Sequence, residues 1–233
     1  TDGQLLTSTG SGVAWEDAPA GGPTFKTFGT SSIMIGDTTT GTINAANYNT
    51  GLGVGVFAAL TEGDENVMVG FAAGQSLTTG SHNIGIGTNA VDDVSTGSYN
   101  VGIGTAALGA NTASSYNTAV GHNALKTEAT SGSNVAIGGL SMQTSNGASN
   151  NVAVGKQTGY LHTTGDYNVW VGSNCGFNST SSSNNVGVGY TAIYSCTTGS
   201  ELVGIGPQAL YSATTAVSCI AIGDRAFQTL VDS

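Results

Sequence analysis

Few side chains in this 233-residue sequence are arranged for acid–base chemistry. Two pairs of adjacent acids, Asp64-Glu65 and Asp92-Asp93, are candidates for glycoside hydrolysis, which needs two carboxyl groups flanking the scissile bond. Both pairs fall in polar, turn-like sequence, and neighbouring side chains of an extended segment point in opposite directions. We therefore interpret these acids as solvated turn residues and predict no catalytic residues and no enzymatic activity.

The residue types that bind metals and cofactors also lack a suitable spacing. The three histidines occupy unrelated places in the sequence, and the three cysteines form no CxxC motif, so we predict no metal site and interpret the cysteines as small buried residues. Glycine strings such as Gly102-Ile103-Gly104 are not followed by a helical pattern and match no dinucleotide-binding motif. We predict no cofactor. The histidines and cysteines in question are His82, His122, His162, Cys175, Cys196 and Cys219.

The composition excludes two classes of partner. The chain has 37 glycines, a net charge of −10 and only 4 Lys+Arg, too few cations to neutralise a run of phosphates. Nucleic acid and anionic lipid surfaces are therefore excluded as direct partners. No stretch approaches the roughly 18 consecutive apolar residues of a membrane span, so we predict no membrane insertion.

An internal repeat organises nearly the whole chain. The pattern Asn-apolar-small-apolar-Gly begins at Asn49 and recurs every 17 residues as far as Asn185, and the same register extends back to Ser32 and forward to Cys219. A strict short period built around one β-branched segment predicts a solenoid with one coil per repeat. We number the coil from the Asn position, and the fold class we predict is an all-β parallel β-solenoid of twelve 17-residue coils.

Each coil is predicted as a strand, a glycine bend, a short second strand and a polar turn. The aliphatic residues at positions 2 and 4 share one strand face, which we assign to the interior of the coil, and the small residues at position 8 also point inward. The bend requires positive φ or a close backbone approach at position 5, which is glycine in every coil. The bend glycines are Gly36, Gly53, Gly70, Gly87, Gly104, Gly121, Gly138, Gly155, Gly172, Gly189, Gly206 and Gly223.

The opposite strand face is flat, because position 3 is Gly or Ala in nine of the twelve coils. A flat strip of small residues favours close packing against another chain, so we predict that this face lies between copies, with the large residues Met34, Met68 and Trp170 as plugs. Residues 1–31 are predicted to form a junction or linker, and residues 32–233 a solenoid shaft roughly 55 Å long.

The repeats resemble those of bacteriophage tail fibres and of the heads of YadA-like trimeric autotransporter adhesins. The resemblance rests on segments such as 185–200 (NVGVGYTAIYSCTTGS) and 203–212 (VGIGPQALYS), and residues 2–16 resemble a junction segment of phage fibre proteins. It implies a homotrimer of left-handed parallel β-rolls around a threefold axis. It also implies location in a virion tail, or at a bacterial cell surface, with other virion tail proteins as further partners.

The function we expect is that of a tail-fibre shaft that presents a host-binding element or contributes to host-surface binding. A bacterial surface adhesin is the alternative. A column of aromatic residues at position 10, Tyr160, Phe177, Tyr194 and Tyr211, is the candidate site for stacking on host cell-surface polysaccharide, although packing against a neighbouring chain also explains it. Ice binding is a minor alternative, based on threonines at position 13: Thr61, Thr78, Thr112, Thr163, Thr180, Thr197 and Thr214.

Overall fold

The structure, a computed structural model, describes residues 4–8, 13–17, 24–28, 32–36, 45–127 and 130–229. All regular secondary structure in these ranges is β. Four strands of five residues come first, and eleven shorter strands follow at intervals of 17 residues. The strands are β1 (Gln4–Ser8), β2 (Val13–Asp17), β3 (Thr24–Phe28), β4 (Ser32–Gly36), β5 (Thr50–Gly53), β6 (Val67–Val69), β7 (Ile84–Ile86), β8 (Val101–Ile103), β9 (Thr118–Val120), β10 (Val135–Ile137), β11 (Val152–Val154), β12 (Val169–Val171), β13 (Val186–Val188), β14 (Val203–Ile205) and β15 (Ile220–Ile222).

Strands β3 to β15 form one sheet in chain order. From β4 to β15 all neighbours are parallel, and equivalent positions pair, as Val101 does with Thr118. The predicted parallel β-solenoid with a 17-residue period is therefore confirmed. At the other end β3, which lies inside the predicted junction, pairs antiparallel with β4, while β1 and β2 form a separate antiparallel pair.

The predicted bend after each strand is present. The eleven bend glycines from Gly53 to Gly223 have φ between 125° and 139°, a region that residues with a Cβ rarely adopt. Stacking also leaves no space for a side chain, because a Cβ on Gly104 would lie 2.7 Å from the carbonyl carbon of Gly121 in the next coil. Both reasons given for glycine at this position hold.

The predicted second strand is wrong. After the bend the described chain turns repeatedly, and positive φ recurs at positions 7 and 9, as at Ala106 and Leu108 (both 53°). Such residues cannot belong to an extended strand. Backbone hydrogen bonds nonetheless join the turns of successive coils. The Leu108 N–H, for example, donates to the Ala124 carbonyl at 3.1 Å. A third positive φ precedes each Asn position, as at Tyr99 (60°).

A ladder of buried asparagines runs along the interior beside the sheet. The Oδ1 atom of each accepts a hydrogen bond from the backbone N–H one coil later, and Nδ2 donates to a carbonyl at position 15 of its own coil. Asn100, for example, accepts from the Asn117 N–H at 3.0 Å and donates to the Ser114 carbonyl at 2.9 Å. The ladder residues are Asn49, Asn66, Asn83, Asn100, Asn117, Asn134, Asn151, Asn168 and Asn185.

The predicted assignment of the two strand faces is wrong. Position 3 points into the coil and is buried, whereas positions 2 and 4 point outward and remain partly exposed. The interior is too narrow for branched side chains on the strand, because the turn segment lies directly opposite. Even a Cβ on Gly85 would lie 2.5 Å from the Met68 Sδ and 3.3 Å from the Val91 Cβ. The predicted inward direction of position 8 is correct, as at Ala107 and Ala124.

Candidate functional surfaces

The outer face of the solenoid sheet is a large apolar surface of the described chain. We call it the aliphatic face and define it as positions 2 and 4 of the twelve coils, of which all but Thr50 and Thr118 are Val, Ile or Leu. Ile84 and Ile86 in the middle of the solenoid are 37% and 40% exposed. Twenty-two aliphatic side chains with on the order of 50 Å² each leave about 1,000 Å² uncovered, above the roughly 300–600 Å² of the largest patch on a typical monomer.

The residues predicted to lie between copies are instead buried within the single chain. Met34, Met68 and Trp170 have at most 1% of their surface exposed, so the prediction that they plug an interface is wrong. Met68 and Trp170 are each accommodated by a glycine on the opposite turn. A Cβ on Gly74 would lie 2.9 Å from Met68, and one on Gly176 would lie 2.7 Å from Trp170.

The predicted aromatic column at position 10 is present as a continuous stack. Neighbouring ring centroids are 5.1, 5.2 and 4.9 Å apart from Tyr160 through Phe177 and Tyr194 to Tyr211. The rings are half-buried, and the faces of Phe177 and Tyr194 contact the rings above and below. A pyranose therefore cannot stack on those two faces, and the column offers ring edges and tyrosine hydroxyls along its length.

A second aromatic column, not predicted from the sequence, lies at position 17, immediately before the Asn position. His82, Tyr99 and Tyr116 stack with centroids 4.6 and 5.0 Å apart, and the His82 Nδ1 lies 3.1 Å from Glu65 Oε2. Tyr99 and Tyr116 are 49% and 61% exposed, more than any ring of the first column. The signal was the aromatic residue shared by three successive coils, with histidine counted as aromatic.

The threonines at position 13 are engaged within the chain. The Thr163 hydroxyl donates to the Thr180 carbonyl at 2.7 Å, and Thr180 donates to the Thr197 carbonyl at 3.0 Å. Their hydroxyl protons therefore link successive coils. This geometry matches the role of a turn-forming residue more closely than that of an ice-binding array.

The candidate acid–base residues are dispersed and take part in local hydrogen bonds. Asp64 accepts from the Asn47 N–H, and Asp93 accepts from the Ser76 hydroxyl one coil earlier. Partial burial raises the pKa of Asp92 above its ordinary value, partly offset by a hydrogen bond from Asn89. Within the described ranges, no group of three or more His, Cys, Asp or Glu side chains is placed to hold a metal ion.

The histidines and cysteines lie apart from one another. His122 is exposed, whereas His162 is buried against Trp170, with ring centroids 4.8 Å apart. Burial raises the pKa of Cys175 to about 12 and that of Cys196 to about 11. These two thiols therefore remain neutral at ordinary pH, and nothing around them activates a nucleophile.

In comparisons with known proteins, no family model, curated protein or solved structure matches this chain. The described part of the chain also has no helix of the length and hydropathy needed to cross a bilayer. The geometry of the surfaces is therefore the basis for inferring function.

Proposed function

We propose that this chain is the non-enzymatic shaft of an extracellular fibre, in which three copies pack side by side through the aliphatic face. The observation that carries the proposal is that face, an uncharged strip along the parallel sheet that is aliphatic at every position except Thr50 and Thr118. Each chain can bury about 1,000 Å² on this face, which is shared between its two neighbours in a three-copy assembly, whereas each partner in a two-chain interface of standard size buries roughly 800 Å². The number three comes from the resemblance to phage tail fibres and trimeric adhesins.

Other copies of this chain are the partner that the face fits best. The side chains of this face repeat with the strand spacing of about 4.8 Å, so a surface with the same period can pack against it along its whole length. Complete burial of a Val, Leu or Ile side chain contributes about 1.5–3 kcal/mol, so covering the remaining third or so of twenty-two residues contributes about 10–25 kcal/mol per chain before the cost of association.

We propose a bacteriophage tail fibre as the setting, with a bacterial surface adhesin as the alternative. In either setting the chain holds a receptor-binding element away from its anchor or contributes to the contact with host polysaccharide. The two aromatic columns are the surfaces that a sugar can contact, through ring edges and hydroxyls. A glycan array comparing the wild type with Tyr194→Ala plus Tyr211→Ala tests that contribution, and equal binding by the two proteins excludes the position 10 column.

Introducing a charged side chain on the aliphatic face tests the shaft proposal. Ile137→Lys places an ammonium group in the proposed interface, whereas Thr105→Lys places one on an exposed turn as the matched control. In sedimentation velocity we expect Ile137→Lys to shift to the single-chain species with unchanged circular dichroism, and Thr105→Lys to sediment like the wild type. Wild-type sedimentation by a correctly folded Ile137→Lys protein would overturn the proposal.

A further inference from the structure

Two threonines interrupt the aliphatic face. Thr50 and Thr118 occupy position 2 of coils two and six, and every other residue of the face is Val, Ile or Leu. In the described part of the chain neither hydroxyl takes part in a hydrogen bond within the solenoid. Both side chains are accessible on the outer surface, so their hydroxyls meet whatever covers the face.

A face that repeats every 17 residues does not fix how copies align. A slip by one coil leaves eleven of the twelve coils in contact and again places aliphatic side chains against aliphatic side chains. Apolar burial therefore distinguishes poorly between neighbouring registers. A unique alignment of the copies needs an additional feature that disfavours the shifted registers.

We infer that Thr50 and Thr118 set the register between copies, an inference that rests on the proposed function. In a parallel assembly without stagger, the three copies of Thr118 lie at the same height around the axis. A hydroxyl donates one hydrogen bond and accepts others, so three hydroxyls can close a ring in which each is satisfied. Thr50 forms the same arrangement four coils away.

Any slip breaks both rings. A shift of one coil places Thr118 against Val101 or Val135, where its buried hydroxyl has no partner, and such burial is unfavourable. A single polar residue at a buried coiled-coil position specifies register in the same way. An antiparallel pair can match Thr50 with Thr118, but it overlaps only seven of the twelve coils, so the parallel arrangement without stagger buries more apolar surface.

Disulfide capture between copies tests this inference. Two preparations of the full chain, one with Val152→Cys and one with Val169→Cys, both with Cys219→Ser, are mixed unfolded, refolded together and oxidised. Disulfides are then identified by mass spectrometry. With both threonines present we expect bonds between equivalent positions. With Thr50→Val plus Thr118→Val, we expect the mixed 152–169 bond to increase about tenfold, which corresponds to about 1.4 kcal/mol.

Moving the threonines provides the matched control. Adding Val67→Thr and Val135→Thr to the double variant shifts both hydroxyls by one coil in every chain, and the mixed bond should return to its wild-type level. A mixed-bond fraction that does not change when the threonines are removed would overturn the inference. Absence of every disulfide between chains, together with a single-chain mass, would instead refute the proposed function.

Discussion

The asparagine ladder predicts a large loss of stability for Asn100→Ala. The substitution removes the acceptor of the Asn117 N–H and the donor to the Ser114 carbonyl, at 3.0 and 2.9 Å. Asn83 keeps one of its bonds to this coil, because its Oδ1 also accepts from the backbone N–H of residue 100. Two buried backbone groups therefore lose their partners.

The magnitude follows from the number of groups left unsatisfied. A buried donor or acceptor without a partner costs about 1–3 kcal/mol, so we expect Asn100→Ala to lower the free energy of unfolding by about 2–6 kcal/mol. Asn100→Ser should lose less. In the first coil the Ser32 hydroxyl already accepts from the Asn49 N–H at 2.9 Å, so a serine can replace the acceptor but not the donor.

Chemical denaturation at one fixed protein concentration measures these changes. Thr105→Ala, on an exposed turn, serves as the control and should alter the free energy of unfolding by less than about 0.5 kcal/mol. A loss below about 1 kcal/mol for Asn100→Ala, or equal losses for the alanine and serine variants, would refute the reasoning.

Two further predictions concern the bends and the thiols. Gly104→Val should lower the free energy of unfolding by more than about 2 kcal/mol, since positive φ and contact with the next coil both oppose a Cβ. Gly139→Ala is the control and should not destabilise the protein, because nothing lies within 4 Å of its added Cβ. Equal melting temperatures for the two variants would contradict the prediction for Gly104. A thiol reagent at pH 8 should label half-buried Cys219 first, and Cys175 and Cys196 only on unfolding. Rapid labelling of all three thiols in the folded protein would refute the burial. Folding raises the pKa of Cys175 from about 8.5 in an unfolded chain to about 12, so the unfolded chain loses the thiol proton first. The free energy of unfolding should therefore decline between about pH 8.5 and pH 12.

The repeat was sufficient to predict the solenoid, its parallel register and the glycine bends. A fixed 17-residue period places equivalent residues beside one another, and an invariant glycine followed by turn residues allows few backbone conformations. The positive φ values at Ala106 and Leu108 were not predictable, because ordinary residues adopt them only where stacked coils supply the hydrogen bonds.

Alternation defined two strand faces but could not decide which was inside. Aliphatic residues usually mark the interior, and here they mark the outer face because the coil is too flat to contain them. The sequence did hold a discriminating signal. Two of the three bulky residues at position 3 coincide with glycine at position 9, Met68 with Gly74 and Trp170 with Gly176, which indicates that these two positions share one interior space.

The aliphatic face makes the oligomeric mass the most direct test of the proposed shaft. Sedimentation equilibrium of the unmodified chain at micromolar concentration should give the mass of three 23.0 kDa chains, about 69 kDa, with no dissociation on tenfold dilution. A folded species of 23.0 kDa at the same concentration would show that this face remains uncovered and would contradict the proposed assembly.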